Sequence, residues 1–335
     1  MQVRRDVRLA DLTTLAVGGR IDRLVEVETA VELVTAVREA DEAGRPLLVL
    51  GGGSNVVAPD EGWPGDVVLV RARGIERFGN ALTVQAGHDW DALVAYTVEN
   101  RLAGVEALSG IPGSTGATPI QNVGAYGQEV AQTITAVRVW DRAEKAERTL
   151  TPAECGFAYR DSRLKRDPVR FVVLDVTVDL HPGDESRPVT YAELARTLGV
   201  EIGATAPLAA VREAVLALRR GKGMVWDPAD PDSRSAGSFF TNPIVPSEQA
   251  LEGCPSWPAG DGMVKLSAAW LVQHAGFGRG TREGRVGTSS RHSLALTTED
   301  GATAAELLAF ADRIVATVRE KFGVTLEREP TAVRP

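Results

Sequence analysis

Residues 21–28 alternate apolar and polar side chains, the period of a strand with one face inward. Thr29 follows, with Glu32 three places on, which is the spacing of a helix N-terminal capping box. Val31, Val34 and Val37 then mark an apolar stripe at helical spacing, and Gly44 ends the helix. An apolar strand at 47–50 completes a β-α-β unit. Its C-terminal end, where open α/β sheets bind ligands, is occupied by Gly51, Gly52, Gly53, Ser54 and Asn55. Strands are expected at 67–70 and 82–86, then a helix over 89–101 with Trp90, Leu93, Val94 and Val98 inward, stopped at Gly104. Residues 105–108 are expected to be the strand that places a second glycine-rich segment, as 47–50 places the first. Beyond it the pattern predicts strands at 136–140 and 171–180, and a helix over 207–220 with Val211, Val215 and Leu218 on one face. A helix at 267–274, a strand at 292–296 and a long helix over 303–322 follow, the last with Thr303 and Glu306 again at capping-box spacing. A final strand at 324–326 would put Glu327 and Glu329 on a common face by alternation.

The second glycine-rich segment, residues 110–127, reads GIPGSTGATPIQNVGAYG. Glycine loses too much entropy and proline too many donors for this to be a helix or a central strand. Ordered as a loop, its backbone amides would form a concave site for a phosphate or a flat polar ring, with Thr115, Thr118, Gln121 and Asn122 adding side-chain hydrogen bonds. The first loop is neither a dinucleotide fingerprint nor a Walker loop. Pro59, Gly62, Pro64 and Gly65 prevent a helix from starting after the glycines, and no Gly-Lys-Ser/Thr follows.

Composition narrows the choices. With 335 residues the chain has room for two or three domains, and its 44% apolar and 24% charged residues are those of a soluble globular protein. The net charge of −8 argues against a broad nucleic-acid or anionic-membrane surface, so an anionic ligand would need a local basic pocket. Cys155 and Cys254 make no disulfide framework or metal-ligand spacing, and His88, His181, His274 and His292 are scattered, so zinc chemistry is disfavoured and no metal is expected. The first residues lack the apolar core of a signal peptide, and no run approaches the ~18 apolar residues of a membrane span. A cytoplasmic protein is expected.

Among the polar residues, Arg160 beside Tyr159 could fork onto a ligand carboxylate. Lys222, after Arg219 and Arg220, either answers the helix dipole or meets a phosphate. Ser238 precedes Phe239 and Phe240, so two buried rings would hold its hydroxyl rigidly, and a turn hydroxyl is the plainer alternative to a catalyst.

Taken together, GGGSN at 51–55, IPGSTGATPIQNVGAYG at 111–127, GFAYRDS at 156–162, GSFFTNP at 237–243 and LERE at 326–329 resemble the UDP-N-acetylenolpyruvoylglucosamine reductase (MurB) family across nearly the whole chain. The resemblance implies an α+β protein with a PCMH or vanillyl-alcohol-oxidase type FAD-binding fold in two α/β lobes, plus a C-terminal α+β substrate-binding domain. The expected divisions are 1–70, with the tail 324–335 returning to it, then 71–222 and 223–323. It implies that NADPH gives hydride to FAD, and that the reduced flavin passes it to C3 of UDP-N-acetylglucosamine enolpyruvate, yielding UDP-N-acetylmuramate. Ser238 then looks like the proton donor to C2, and Arg160 with Glu329 like the pair that polarises the substrate carboxylate.

For FAD the resemblance implies Gly51, Gly52, Gly53, Ser54 and Asn55, together with Ile111, Pro112, Gly113, Ser114, Thr115, Gly116, Thr118, Gln121, Asn122 and Gly124. For the UDP group it implies Tyr126, Tyr191, Lys222 and Asn242, and Tyr191 suggests the form of the family in which a tyrosine loop folds over the substrate. The family often ends Leu-Glu-Pro-Glu-Val-Arg. This chain reads Leu326-Glu327-Arg328-Glu329-Pro330-Thr331, which leaves Glu327 as the alternative to Glu329. The competing readings are another PCMH-type flavin oxidase acting on an alcohol or sugar, and a non-enzymatic nucleotide-sugar binding module. Neither glycine loop carries a His or Cys that would tether a flavin. A monomer is expected.

Overall fold

The computed structural model describes residues 1–335. Its first layer is a four-stranded sheet in the order Gln2–Arg4, Ile21–Val27, Trp63–Val70, Leu47–Leu50, in which the last three strands run parallel. Helix Ala30–Glu42 crosses over from Ile21–Val27 to Leu47–Leu50, as parallel pairing demands. The Thr29 hydroxyl caps it by accepting from the Glu32 amide. The buried stripe is Leu33, Ala36, Val37 and Ala40, whereas Val31 is 76% exposed. Contrary to the expected stripe, Val31 lies in the first turn and points away from the sheet into solvent.

The second layer is an antiparallel sheet in the order Ala146–Leu150, Ile134–Asp141, Phe171–Asp179, Ala81–Gln85, Ile75–Phe78. One apolar core joins it to the inner face of the first sheet, with Val25, Val27, Leu33 and Val68 from one side and Leu82, Val84, Val137 and Val176 from the other. The second glycine loop is not placed by a strand. Residues Glu106–Leu108 form a 3-10 turn, because the buried Glu106 carboxylate accepts from the Gly104 and Arg187 amides and from the Gln128 side chain. An isolated buried carboxylate of this kind must collect donors, and a turn supplies them where a strand would not.

Two small sheets and the helices Ala268–His274 and Ala304–Phe322 surround a separate C-terminal core. Phe239 and Phe240 are fully buried in it, edge to face at 5.4 Å. The strand here is Ala295–Thr298, and His292 precedes it in a turn held by Ser289. Residues 324–326 are not a strand. Instead the chain bridges at Phe240 and Arg328 and then pairs parallel, Thr331–Ala332 with Val56–Val57. The tail is therefore bonded to the segment that follows the first glycine loop.

Candidate active site

The two glycine loops meet each other. A side chain on Gly52 would lie 2.6 Å from the Gly113 Cα, and one on Gly51 would lie 2.1 Å from the Ser114 hydroxyl. At Gly52 the neighbour is backbone, so only a residue without a Cβ permits this approach. Hydrogen bonds tie the crossing together: Ser54 Oγ donates to the Pro112 carbonyl at 3.0 Å, and Asn55 Nδ2 donates to Gln121 Oε1 at 2.5 Å. Thr14 joins the first loop to the C-terminal domain through the Ser54 and Ser235 carbonyls.

The cleft under this crossing is lined by Gly51, Ser54, Asn55, Ile111, Pro112, Gly113, Ser114, Thr118, Gln121 and Gly124. Arg160, Ser238 and Glu329 face the same space. Gly52, Gly53, Thr115, Gly116 and Asn122 are outside the lining. Thr115 and Asn122 are buried with their side chains spent on the protein: Thr115 Oγ1 on the His88 carbonyl, Asn122 Nδ2 on Glu129 and the Ala158 carbonyl. They shape the loop from behind.

Arg160 and Glu329 form an ion pair, Nε to Oε1 at 3.2 Å, with both side chains more than four-fifths buried. Arg160 also donates to the Gly124 carbonyl, and its own carbonyl accepts from Lys165 Nζ at 2.9 Å. It has a left-handed backbone, φ 53°, a costly setting that the surrounding bonds must hold. Burial pushes the Glu329 carboxyl above the ordinary carboxylate range, and the opposing pull of Arg160 and Lys165 does not cancel it. Glu327, the alternative, is exposed. Alternation fails here because a single bridge, not a strand, orients the segment.

Ser238 ends strand Ser235–Ser238, whose register against Ala295–Thr298 shifts between Ser235 and Ser238. The backbone then fastens the serine to the acid: Thr241 N donates to the Glu327 carbonyl and Glu329 N to the Phe239 carbonyl. Ser238 and Glu329 are thus positioned by one short ladder anchored on two buried rings.

The four residues expected to meet a nucleotide do not line this cleft. Tyr126 and Tyr191 contact each other edge to face at 5.4 Å, and Lys222 Nζ lies 5.4 Å from the Tyr126 ring centre while pairing with Glu193 at 2.6 Å. Burial raises the Tyr126 phenol to about 12. His292 is close enough to feel Lys222, and burial first, then that ammonium, lowers its imidazole to about 4. Asn242 Oδ1 accepts from the Ala268 amide, so half of its side chain starts a helix.

Comparison with known proteins identifies this assembly. Residues 21–149 match the model of an FAD-binding domain, and 228–333 match the C-terminal domain of UDP-N-acetylenolpyruvoylglucosamine reductase. The chain is 52% identical to the UDP-N-acetylenolpyruvoylglucosamine reductase of Thermobifida fusca, covering 98% of this chain and 97% of that one, and 51% identical to that of Streptomyces coelicolor, covering 99% and 91%. The chain belongs to the UDP-N-acetylenolpyruvoylglucosamine reductase family. The crystal structure of the MurB reductase from Thermus caldophilus superposes over 100% of both chains with a TM-score of 0.70 at 27% identity.

The cleft of this reductase fits FAD on its own chemistry. No backbone carbonyl accepts from the amides of residues 52–55, nor from those of Ile111, Gly113 and Ser114. The open amides of Ser54, Asn55, Ile111, Gly113 and Ser114 belong to residues that line the cleft, and a pyrophosphate and a flavin ring edge are acceptors of the kind they would suit. Two further features were missed by reasoning from sequence. Arg219, on helix Leu208–Gly221, is buried in the cleft wall with its Nε unpartnered, and Trp226 stands half-exposed at the rim. For Arg219 a signal was present: it extends the Val211, Val215 stripe by one more turn.

Proposed function

We infer that this protein reduces UDP-N-acetylglucosamine enolpyruvate to UDP-N-acetylmuramate, with FAD as the bound cofactor and NADPH as the reductant. What supports the reading most is the convergence of Ser238, Arg160 and Glu329 on the cleft roofed by two open-amide glycine loops, in a chain of this family. FAD, when bound, supplies hydride transfer from NADPH to the substrate's C3. Residues 1–70 and 71–222 hold it, the tail 324–335 delivers Glu329, and residues 223–323 bring Ser238 to the substrate.

The protein's part is to make an electron-rich enol ether accept hydride. That requires its conjugated carboxylate to take up charge, and the Arg160 guanidinium, which lines the cleft, supplies the positive charge that carboxylate meets. A substrate carboxylate placed beside Glu329 raises that residue's proton affinity further, so Glu329 works as a neutral donor alongside Arg160. Charge then gathers at C2 of the substrate. A serine hydroxyl is a feeble acid, but it protonates so strong a base when held rigidly in a dry site, and the Phe239–Phe240 anchor provides that rigidity for Ser238.

For the nucleotide, Lys222 exchanges Glu193 for the diphosphate, Tyr126 and Tyr191 close over the uridine, and Asn242 offers its free Nδ2. The test is anaerobic. NADPH should bleach the flavin, and addition of the enolpyruvyl substrate should restore its colour with formation of the muramate. Bleaching without recovery on that substrate would exclude the assignment.

A further inference from the structure

Arg160 sits at the corner of a tight turn. Ala158 and Asp161 exchange backbone hydrogen bonds at 3.0 and 3.2 Å, which leaves Tyr159 and Arg160 at the bend, with Arg160 left-handed at φ 53°. A residue with a side chain keeps that conformation only where its surroundings over-determine it. Its carbonyl is taken by Lys165, whose Nζ donates to it at 2.9 Å.

Lys165 is itself firmly held. It lies in the short helix Arg163–Arg166, capped by the fully buried Ser162, whose hydroxyl accepts from the Lys165 amide at 3.2 Å and donates to the Ile120 carbonyl in the second glycine loop at 2.6 Å. The ammonium lines the cleft and forms no ion pair: Arg166 takes Asp161, and Arg160 takes Glu329. Its charge therefore acts on Glu329 unanswered, and with Arg160 it opposes the burial that raises that carboxyl. The other groups around Glu329 change little. Tyr159 is a phenol kept neutral by burial, Lys265 lies 3.8 Å from the centre of its ring, and Arg328 is turned to Asp312.

We propose that Lys165 is the positioning residue for Arg160 and Glu329 in the step that reoxidises the flavin: its ammonium holds the Arg160 carbonyl, so fixing the turn that carries the guanidinium, and stands as the second positive charge beside the Glu329 carboxyl. Lys165 neither gives nor takes a proton. Glu329 works protonated, so reoxidation is lost as pH rises through its folded value, and the Lys165 charge decides where that loss begins. This rests on the functional reading above.

The test is stopped-flow measurement of both half-reactions on the FAD-loaded protein. In Lys165→Met, NADPH reduces the flavin at the wild-type rate, whereas reoxidation by saturating enolpyruvyl substrate slows by about tenfold or more. The alkaline limb of the reoxidation pH profile moves to higher pH, because one of the two cations opposing protonation of Glu329 is gone. Lys165→Arg, which keeps the charge and a donor, restores most of the rate and the original limb. An unchanged reoxidation rate overturns the proposal, and so does a slower rate with the limb unmoved, which is what lost packing alone would give. Should Lys165→Met fail to fold, Lys165→Gln decides: it keeps a donor for the carbonyl but no charge, so the limb must still move, and a fixed limb overturns the proposal. Unmodified protein whose flavin NADPH reduces but the enolpyruvyl substrate never reoxidises would instead refute the functional reading.

Discussion

Replacing Gly52 with alanine tests whether the crossing of the two loops builds the cofactor site. The new methyl would sit 2.6 Å from the Gly113 Cα, 3.1 Å from its carbonyl carbon and 3.3 Å from the Ser114 nitrogen, all of it backbone. Ordinary contact begins at 3.4 Å, so the loops must part by 3.4 − 2.6 = 0.8 Å. Overpacking of this kind costs roughly 1–3 kcal/mol. On the proposed reading, in which the amides on both sides of the crossing serve one ligand, most of that cost should appear as lost FAD affinity, about fivefold to a hundredfold at 1.4 kcal/mol per decade. Titration of the flavin-stripped protein, followed by quenching of FAD fluorescence, measures it. Gly221→Ala is the control, since nothing lies within 4 Å of the methyl it adds. Wild-type affinity in Gly52→Ala, with the fold intact by circular dichroism, would refute the idea that contact between the loops creates the site.

Other expectations concern the chemistry and the titrating groups. Ser238→Ala should slow turnover by about two to four orders of magnitude, the usual worth of a positioned acid, while NADPH reduces the flavin at the wild-type rate in stopped-flow absorbance. Arg160→Met should slow reoxidation by substrate far more than reduction by NADPH, and equal losses in both would remove Arg160 from the carboxylate. Glu329 has a raised folded-state pKa, so its contribution to stability is present at low pH and lost as pH rises through that value. Glu329→Gln should therefore melt higher than wild type near neutrality, with the advantage shrinking toward pH ~4, while activity falls. His292 is the reverse case: at about 4 in the fold, against an unperturbed 6.5, it leaves the unfolded chain binding more protons between those values. Stability should fall by up to about 3 kcal/mol from this group as pH drops from ~6.5 to ~4, and His292→Gln should flatten that part of the melting curve.

Local grammar made much of this architecture legible. The caps at Thr29 and Thr303 could be read because a hydroxyl and the backbone amide three residues on satisfy each other with no help from the rest of the fold. Residues 110–127 were readable as an ordered loop, since their glycines and prolines exclude a regular helix and a central strand there. What sequence could not supply depended on distant partners. Ala36 and Ala40 carry little hydrophobic signal, so periodicity alone favours Val31, which faces water. The choice between Glu327 and Glu329 rests on a bridge to Phe240, nearly ninety residues earlier (328 − 240 = 88). Helical periodicity did contain Arg219, but a basic residue in a last turn is ordinarily a dipole partner, and only the cleft wall gives it another meaning.

A crystal structure of the FAD-loaded protein with the enolpyruvyl nucleotide would test the centre of the account most directly. It should place Ser238 Oγ within hydrogen-bonding reach of the substrate's C2, with Arg160 and Glu329 on the substrate carboxylate and the flavin ring beneath, against the two loops. A flavin bound elsewhere, or a Ser238 hydroxyl turned away from the enolpyruvyl group, would contradict it.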